Sequence, residues 1–289
     1  MIRYALLLTM TKVFICGCVR NCEEHIDAVF STIQQLETLF SDTHVIVAYD
    51  QSHDKTLLKL TQHKRLRGEK MDVLINRNPL SFRRTENIAN ARNAILERIQ
   101  CLFKYDEAWP IFIMMDFDDV CAGPPNLDVL RRVLQREEEW DSISFNRPGY
   151  YDIWALSLSP FLYSAWGWDG PREVVRIMRE YLLKTLGQRN PEDWLACRSA
   201  FNGFALYKTS LFLTCRYDWR RPIEHISVSD FELNRAALGF RATRSPIGTQ
   251  TDEPDCEHRA FHMSAINRFG AKIWISPECL FTHPILGHA

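Results

Sequence analysis

Residues 111–119 hold the feature that most limits how this chain can fold, because five apolar residues run directly into three carboxylates. A continuous apolar run of this length is typical of a parallel strand that is buried on both faces. In an open α/β sheet, ligands bind beyond the carboxyl ends of the strands, which is where Asp116, Asp118 and Asp119 would lie. The run therefore predicts a central strand with acidic side chains at the functional edge of the sheet.

The spacing of these acids indicates a metal site. In an extended backbone, Asp116 and Asp118 point to one side of the strand and Asp119 points to the other. Two carboxylates that converge on one point repel each other unless a cation joins them, and oxygen ligands of this kind suit Mg²⁺ or Mn²⁺. A solvated or structural acidic turn after the strand is the alternative interpretation.

The composition is that of a soluble globular protein. Of the 289 residues, 46% are hydrophobic and 25% are charged, and the formal net charge of -1 gives no reason to expect a nucleic-acid surface. Nine cysteines form an odd set in mostly apolar contexts, which favours free thiols in a reducing compartment. The apolar run at residues 5–10 is too short for a membrane span. We therefore expect a cytoplasmic protein without a membrane span.

The first part of the chain alternates between strand and helix patterns. Asn21 is placed to cap the helix after the first strand, and Glu24 three residues on completes a capping-box pattern. Alternation of this kind predicts βαβ units, and hence an α/β fold with a mostly parallel sheet. The predicted strands are residues 12–19, 44–49 and 71–75, and the predicted helices are residues 21–40 and 55–67.

No glycine-rich dinucleotide fingerprint follows the first predicted strand, and this weakens the prediction of an NAD-binding fold. A nucleotide can still lie across the carboxyl ends of the first two strands. There Val19, Arg20 and Asn21 on one loop, and Asp50 on the next, are placed to meet a base and a ribose. A structural role in a turn is the alternative for Asp50.

Arg92 is the most unusual residue of the next predicted helix, residues 84–102. Ala91 and Ile95 belong to the apolar face of that helix, and Arg92 falls inside the same arc. A guanidinium that faces a core keeps its proton and needs an anion, either a carboxylate or a ligand phosphate. Arg84 adds a second cation near the helix start, where the dipole already favours anions. A structural ion pair with an acid of the central motif is the alternative for Arg92.

The second half of the chain is richer in aromatic and loop-like sequence. Aromatic faces with a few polar groups suit sugar rings, so Tyr151, Trp154, Trp166 and Trp168 are candidates for carbohydrate binding. For any single tryptophan, an ordinary core position is the alternative. The elements predicted here are a helix at residues 126–139 that Asn126 caps, a strand at 142–145, a helix at 172–186 and a strand at 201–207.

Glu257 and His258 lie on the first turn of the last predicted helix, which Gly270 ends. His258 and His262 are four positions apart on one face, but the zinc-protease pattern needs a glutamate where Arg259 stands. A hydrogen-bonded helix histidine is therefore the interpretation we favour for His262. His258, beside an acid at the helix start, is the better candidate for a third metal ligand.

Taken together, these residues resemble the nucleotide-sugar-dependent glycosyltransferases of the GT-A fold and their Asp-x-Asp motif, here Asp116-Phe-Asp118. Four further patterns are similar to glycosyltransferases of large DNA viruses and, more distantly, to the fungal capsule-associated mannosyltransferases. The patterns are T-x-N-x-A-x-A-R-N at residues 85–93, Y-Y-D-I-W at 150–154, N-G-F-A-L-Y at 202–207 and C-E-H at 256–258. The likeness covers residues 13–284.

The resemblance implies a single GT-A domain over residues 1–289, with a nucleotide-sugar-binding half at 12–146 and an acceptor-binding half at 147–289. It implies Mn²⁺ or Mg²⁺ joining Asp118, with Asp116, to the diphosphate of a UDP- or GDP-linked donor. A hexosyl or pentosyl group would pass to a hydroxyl of a glycan or glycoprotein, and a virus-encoded enzyme would act in the host cytoplasm. Asp119 is an extra acid relative to the fungal motif.

Glu257 would then act as a general base on the acceptor hydroxyl or stabilise positive charge at the anomeric carbon, with Asp152 as the next candidate. A residue that only complements the helix dipole is the alternative interpretation of Glu257. A metal-dependent hydrolase of nucleotide sugars or phosphoesters, and a non-catalytic carbohydrate-binding protein on the same fold, are the competing functions. The predicted donor-binding residues are Val19, Arg20, Asn21, Asp50, Ser52, Arg84, Asn87, Arg92 and Asp116, the predicted metal ligands are Asp116, Asp118 and His258, and the predicted acceptor-binding residues are Tyr151, Trp154, Trp166, Trp168 and Asn202.

Overall fold

The structure is a computed structural model that describes residues 11–104, 106, 108–162, 171–220, 222, 227–239, 255–283 and 285. Over these residues, eight strands form one continuous mixed sheet. The strands are β1 (Lys12–Val19), β2 (Asp42–Tyr49), β3 (Met71–Ile75), β4 (Ile111–Met115), β5 (Ser142–Asn146), β6 (Leu195–Ala196), β7 (Phe204–Lys208) and β8 (Ile273–Cys279). Their order across the sheet is β3-β2-β1-β4-β7-β5-β8-β6.

The helices of the described part of the chain connect these strands, and α3 packs on β1 and β2. They are α1 (Ile26–Glu37), α2 (Thr56–Arg67), α3 (Arg84–Phe103), α4 (Leu127–Gln135), α5 (Pro171–Gly187), α6 (Thr209–Phe212), α7 (Val228–Leu238) and α8 (Glu257–Phe269). Strands β1 to β4 pair in parallel, as do β5 and β8, while β7 and β6 run antiparallel to their neighbours. The predicted α/β class with a mostly parallel sheet is confirmed.

Strand β4 lies at the centre of the sheet, and all five of its residues are buried. It pairs in parallel with β1, where Cys16 faces Met114, and antiparallel with β7 on its other side. The continuous apolar run is therefore explained by burial on both faces of a central strand. Its carboxyl end delivers Asp116 to the same edge of the sheet as the ends of β1 and β2.

The turn before β7 fixes the position of Asp116. Asn202 and Gly203 both have positive φ angles, of 55° and 86°, and a Cβ on Gly203 would lie 2.2 Å from the Val120 side chain. Only glycine fits this close approach with that backbone conformation. In return the Gly203 carbonyl accepts a hydrogen bond from the Asp116 amide at 2.9 Å.

The capping role predicted for Asn21 is wrong. Helix α1 begins at Ile26, and its N-cap His25 makes no side-chain capping bond. Asn21 instead has a positive φ of 54°, and its Oδ1 accepts a hydrogen bond from the His53 amide at 2.8 Å. The side chain therefore joins the loops after β1 and β2, a long-range partner that local spacing does not reveal.

In the second half of the chain, some observed helices and strands match the predicted ones and others do not. Gly270 ends α8 in the left-handed conformation, as predicted, and the Asn126 side chain caps α4, although that helix stops at Gln135 and a short 3₁₀ turn follows. Helix α7 and strands β6 and β8 were not predicted. The patterns of α7 and β6 are weak because α7 has no single apolar face and β6 is only two residues long.

All nine cysteines are free thiols in the structure, as their odd number and mostly apolar contexts favoured. Among the helices that the structure describes, none is both long enough and apolar enough to cross a lipid bilayer.

Candidate active site

A cavity of about 760 Å³ opens where the carboxyl ends of β1, β2 and β4 meet the first turns of α3 and α8. Two helix N-termini, whose dipoles favour anions, thus face the edge of a parallel sheet where ligands bind. A cavity of this volume is within the range that holds small molecules and cofactors. It is lined by Cys18, Val19, Arg20, Asn21, Cys22, Asp50, Arg84, Asn87, Ile88, Ala91, Arg92, Asp116, Phe117, Asp118, Tyr151, Asp152, Trp154, Phe201, Cys256, Glu257 and His258.

Asp116 and Asp118 both line the cavity, and Asp119 is not part of its lining. Asp116 Oδ2 accepts a hydrogen bond from the Tyr151 hydroxyl at 2.7 Å. Asp118 Oδ1 accepts one from the Val120 amide at 3.1 Å, which starts a 3₁₀ turn after the strand. Arg92 Nη2 also lies 3.4 Å from Asp116 Oδ1, so this chain holds Asp116 through both oxygens and Asp118 through one. The two carboxylates share the cavity, as the strand geometry predicted.

The protonation of Asp118 is strongly affected by its surroundings. Burial and the neighbouring Asp116 charge raise the pKa of Asp118 to about 7. Burial, together with Asp116, raises the pKa of Tyr151 well above its usual range, so the phenol stays protonated and donates a hydrogen bond to the Asp116 carboxylate. A cation bound by these carboxylates would offset the Asp116 charge, which after burial is the second cause of the raised pKa of Asp118.

The donor set fits a hard divalent cation only in part. Among the residues that the structure describes, no group of three or more His, Cys, Asp or Glu side chains is arranged to hold a metal ion. Two carboxylates fit Mg²⁺ or Mn²⁺ that completes its coordination with water and with ligand oxygens. Nε2 of His258, the third ligand predicted from the sequence, contacts the Arg92 guanidinium instead.

Arg92 lies on the floor of the cavity with only 6% of its surface exposed. Nη1 forms an ion pair with Glu257, and Nη2 lies 3.4 Å from Asp116 Oδ1. The guanidinium carbon stacks over the rings of Phe201 and Tyr217 at 4.7 and 5.6 Å. Burial lowers the pKa of Arg92, but the Glu257 and Asp116 carboxylates outweigh it and raise the pKa above the ordinary value. The anion predicted for this arginine is therefore a pair of protein carboxylates.

His258 is buried between Phe201, whose ring stacks on it at 4.0 Å, and Arg92. Burial and the Arg92 charge lower its pKa well below the usual range, so the imidazole is neutral. Its Nδ1 has no hydrogen-bond partner among the described residues. His262, by contrast, bonds to Ser199 at 2.9 Å and to Tyr207 at 3.0 Å, the satisfied helix histidine that the sequence indicated.

Asp152 reaches the cavity, but both of its oxygens accept backbone hydrogen bonds. Oδ1 accepts from Ala155 and Oδ2 from Asn202, each at 3.2 Å. Burial and the Asp116 charge raise the pKa of Asp152 to about 6. Asn202 itself does not line the cavity, because its side chain bonds to the Phe145 carbonyl at 2.9 Å and to the Asp152 amide at 3.4 Å. Its position supports a structural role rather than the predicted contact with an acceptor.

The loops after β1 and β2 form the other end of the cavity. Val19, Arg20, Asn21 and Asp50 all line it, as the sequence placed them. Asp50 Oδ1 accepts a hydrogen bond from Asn76 Nδ2 at 2.8 Å, a partner that the sequence analysis missed. Ser52 is not part of the lining, because its Oγ accepts from the Asn21 amide at 3.0 Å and donates to the Asp50 carbonyl.

The start of α3 brings two predicted residues to the cavity in different ways. Arg84 is exposed and lines the cavity at the helix start. Asn87 also lines it, but its Oδ1 accepts from the Ser81 amide at 2.8 Å and its Nδ2 donates to the Ser81 carbonyl at 2.7 Å. Asn87 therefore closes the loop before the helix, whereas the Arg84 side chain is exposed at the cavity.

Of the aromatic candidates, Tyr151 and Trp154 line the cavity. Trp166 and Trp168 lie outside the described residues. The Trp154 carbonyl accepts a hydrogen bond at 2.8 Å from Arg259, which is fully buried and pairs with Asp255 at 3.0 Å. This buried ion pair fixes the aromatic segment to α8. The contact with the loop could not be predicted from residue spacing, because Arg259 reaches it through two backbone oxygens, those of Trp154 and Leu156.

No protein-family model and no curated protein matches the sequence. Glucosyl-3-phosphoglycerate synthase from Mycobacterium tuberculosis, in complex with Mn²⁺, uridine diphosphate and phosphoglyceric acid, aligns over 98% of this chain and 74% of its own, with 12% identity and a TM-score of 0.48. Mannosyltransferase PcManGT from Pyrobaculum calidifontis, with GDP-Man and Mn²⁺, covers 96% of this chain with 14% identity and a TM-score of 0.46. S. aureus TarS 1-349 with UDP covers 95%, with 14% identity and a TM-score of 0.47. This chain spans 58% of the PcManGT chain and 61% of the TarS chain.

Proposed function

We propose that this protein is a metal-dependent glycosyltransferase of the GT-A type, which moves a hexosyl or pentosyl group from a nucleoside diphosphate to a hydroxyl. The observation that carries the proposal is the Asp116 and Asp118 pair at the end of a buried parallel strand, in one cavity with Arg84 and Asp50. A carboxylate pair that needs a cation and a basic helix start that favours phosphate together suit a metal-bound diphosphate.

The donor would extend along the edge of the sheet. Its diphosphate would lie between the carboxylate pair and Arg84 at the start of α3, and its nucleoside, uridine or guanosine, would lie between Asn21 and Asp50. Asn76 orients the Asp50 carboxylate for hydrogen-bond donors of the base or ribose. Asp116 and Asp118 would hold Mn²⁺ or Mg²⁺, which supplies positive charge to the leaving diphosphate.

Glu257 is the residue proposed for the chemistry at the sugar. Its side chain forms an ion pair with the adjacent Arg92 guanidinium in the cavity. An ionised carboxylate can accept the proton of an acceptor hydroxyl or stabilise positive charge that develops at the anomeric carbon. Asp152 is the second candidate, although backbone amides already engage both of its oxygens.

The acceptor is proposed to be a hydroxyl of a glycan or glycoprotein. The aromatic segment that carries Tyr151 and Trp154 borders the cavity beside the carboxylates, and aromatic faces with polar edges suit sugar rings. Trp154 is the better candidate for stacking, because the Tyr151 hydroxyl is already bonded to Asp116. Trp166 and Trp168 complete the acceptor side in the proposal.

A ligand panel tests the donor part of this proposal. We expect UDP or GDP with Mn²⁺ to raise the melting temperature by about 5 °C at saturating concentrations, because a ligand that binds only the native state stabilises it by mass action. Neither nucleotide alone nor Mn²⁺ alone should give the same shift. Equal shifts with and without Mn²⁺ would contradict a metal-bound diphosphate.

Turnover with nucleotide sugars then separates the candidate functions. A transferase hydrolyses its donor slowly and releases the nucleotide faster when an acceptor glycan is added. Fast release that no acceptor accelerates would identify a hydrolase, and glycan binding without any release would identify a carbohydrate-binding protein.

A further inference from the structure

Arg147 follows directly after β5 and is a second buried cation close to the carboxylate pair. Only 3% of its surface is exposed. Its Nη2 donates to the Val120 carbonyl at 2.9 Å, while Nε and Nη1 have no hydrogen-bond partner. Among the described residues, no carboxylate lies within ion-pair distance of this guanidinium. Burial of a charged group without an ion-pair partner costs free energy, so the buried position of Arg147 needs an explanation.

The contacts of Arg147 lead to both carboxylates. Val120, whose carbonyl it engages, donates its own amide to Asp118 Oδ1 at 3.1 Å. On the other side, the guanidinium carbon lies 5.7 Å from the centre of the Tyr151 ring, and the Tyr151 hydroxyl donates to Asp116 Oδ2 at 2.7 Å. The buried Arg147 guanidinium therefore contacts both residues that hydrogen-bond to the carboxylates, namely Val120 and Tyr151.

The chain also folds so that these contacts are formed together. The Arg147 carbonyl accepts a hydrogen bond from the Tyr150 amide at 3.1 Å, with Gly149 at a φ of 79°. This tight turn returns the backbone and brings Tyr151 over the side chain of Arg147. The arginine thus links its own turn to the 3₁₀ turn that follows Asp118.

We propose that Arg147 is a positioning residue that sets the spacing and orientation of Asp116 and Asp118, and through them the affinity for a divalent cation. The inference rests on the proposed function, because it takes the pair to be a metal site. Arg147 itself is not part of the cavity lining and would touch neither the metal nor the substrate.

Whether removal of Arg147 strengthens or weakens metal binding distinguishes a positioning role from a purely electrostatic one. A positive charge near a cation site repels the incoming metal, so its removal by itself would strengthen metal binding. If Arg147 mainly holds Val120 and Tyr151 in place, its removal loosens the pair and weakens metal binding. Loss of a group that orients metal ligands typically costs between 10-fold and 100-fold in affinity, on the order of the effect expected here.

The test is a Mn²⁺ titration followed by electron paramagnetic resonance of the free ion, with and without UDP or GDP. We expect Arg147→Met to raise the Mn²⁺ dissociation constant at least about tenfold. Arg67→Met is the matched control, because Arg67 is a partly buried arginine that pairs with Glu37 on α1, away from the cavity. It should leave the dissociation constant unchanged.

A second variant covers the case in which Arg147→Met does not fold. Arg147→Lys keeps the charge but not the planar group that reaches the Val120 carbonyl, and it should also weaken Mn²⁺ binding. Unchanged or tighter Mn²⁺ binding in a folded variant, with normal binding in the wild type, overturns the positioning role alone. A wild type that takes up no Mn²⁺ with either nucleotide overturns the proposed function and this inference with it.

Discussion

Arg92 and Glu257 form an ion pair on the floor of the cavity, although 165 positions separate them in the sequence. Both residues are buried, with 6% and 4% of their surfaces exposed. The same guanidinium reaches Asp116 at 3.4 Å. The Arg92 guanidinium therefore contacts both Asp116, a proposed metal ligand, and Glu257, the proposed catalytic acid. A substitution of Arg92 is expected to affect both carboxylates.

Arg92→Met should be strongly destabilising, because it leaves Glu257 buried without its partner. Breaking a buried pair on one side costs about 3–5 kcal/mol, whereas replacing both partners with uncharged groups of similar shape is often tolerated. We therefore expect the double variant Arg92→Met with Glu257→Gln to recover most of the loss. Urea denaturation of the two single variants and the double variant measures the free energies of unfolding for this cycle.

The Arg67→Met variant shows how much of the stability loss of Arg92→Met comes from the burial of its ion pair. Arg67 also pairs with a carboxylate, Glu37, but both side chains are more exposed, with 14% and 25% accessible. Loss of such a pair is expected to cost about 1 kcal/mol. Similar losses for Arg67→Met and Arg92→Met would argue against a special electrostatic role of the cavity floor.

Asp118→Ala should abolish Mn²⁺-dependent nucleotide binding while the protein stays folded. Asp118 shares the cavity with Asp116, and a single remaining carboxylate is a poor site for a divalent cation. Asp119→Ala is the matched control, since this neighbouring acid does not line the cavity. Isothermal titration with UDP or GDP and Mn²⁺ measures both variants. Equal binding by the wild type and a folded Asp118→Ala would exclude Asp118 as a metal ligand.

The sequence was sufficient for the parts of the fold that local patterns control. The apolar run at 111–115 predicted a central strand because burial on both faces leaves a continuous signature, and Gly270 marked a helix end because the left-handed conformation favours glycine. The insertion of β7 between β4 and β5 was out of reach, since antiparallel pairing depends on partners far along the chain. The capping role predicted for Asn21 was wrong for a similar reason, because its hydrogen-bond partner His53 belongs to another loop.

The candidate site shows the same division. Arg92 could be singled out because a charge on an apolar helix face violates the pattern around it. Asn87 and Ser52 satisfy backbone groups of nearby loops, which spacing cannot distinguish from ligand contacts. Arg147 sits in a turn without periodicity, and its single hydrogen bond goes to the carbonyl of Val120, so the sequence carried no sign of its burial.

The pH dependence of stability should report on Asp118. Burial and Asp116 raise its pKa from 3.8 to about 7, so between these values the folded chain binds a proton that the unfolded chain has released. Its contribution to stability is therefore present at low pH and lost as the pH rises through about 7. Asp118→Asn should remove a loss of roughly 2 kcal/mol between pH 5 and pH 8.

Comparison with the variant is necessary because other buried groups act in the opposite direction. Burial and Arg92 lower the pKa of His258, and they lower the pKa of His262 to about 3. These imidazoles make the protein less stable as the pH falls below their ordinary value. The difference between the wild type and Asp118→Asn at each pH cancels this term, and saturating Mn²⁺ should reduce the difference near neutral pH. A pH-independent difference would contradict the raised pKa.

Glu257→Gln tests which acid carries the chemistry. The substitution keeps the shape and removes the charge, so a catalytic carboxylate should lose at least about a hundredfold in turnover, with the affinity for the donor largely retained. Asp152→Asn is the matched comparison, because Asp152 reaches the same cavity but accepts backbone hydrogen bonds at 3.2 Å through both oxygens. Its amide would disturb one of these bonds and should lower stability more than it lowers turnover.

If Glu257→Gln stays within about threefold of the wild type, a change of under 1 kcal/mol in the barrier, and Asp152→Asn loses its turnover, the roles are reversed. Single-turnover kinetics with a saturating donor, measured on variants whose folding is checked by circular dichroism, distinguishes the two outcomes.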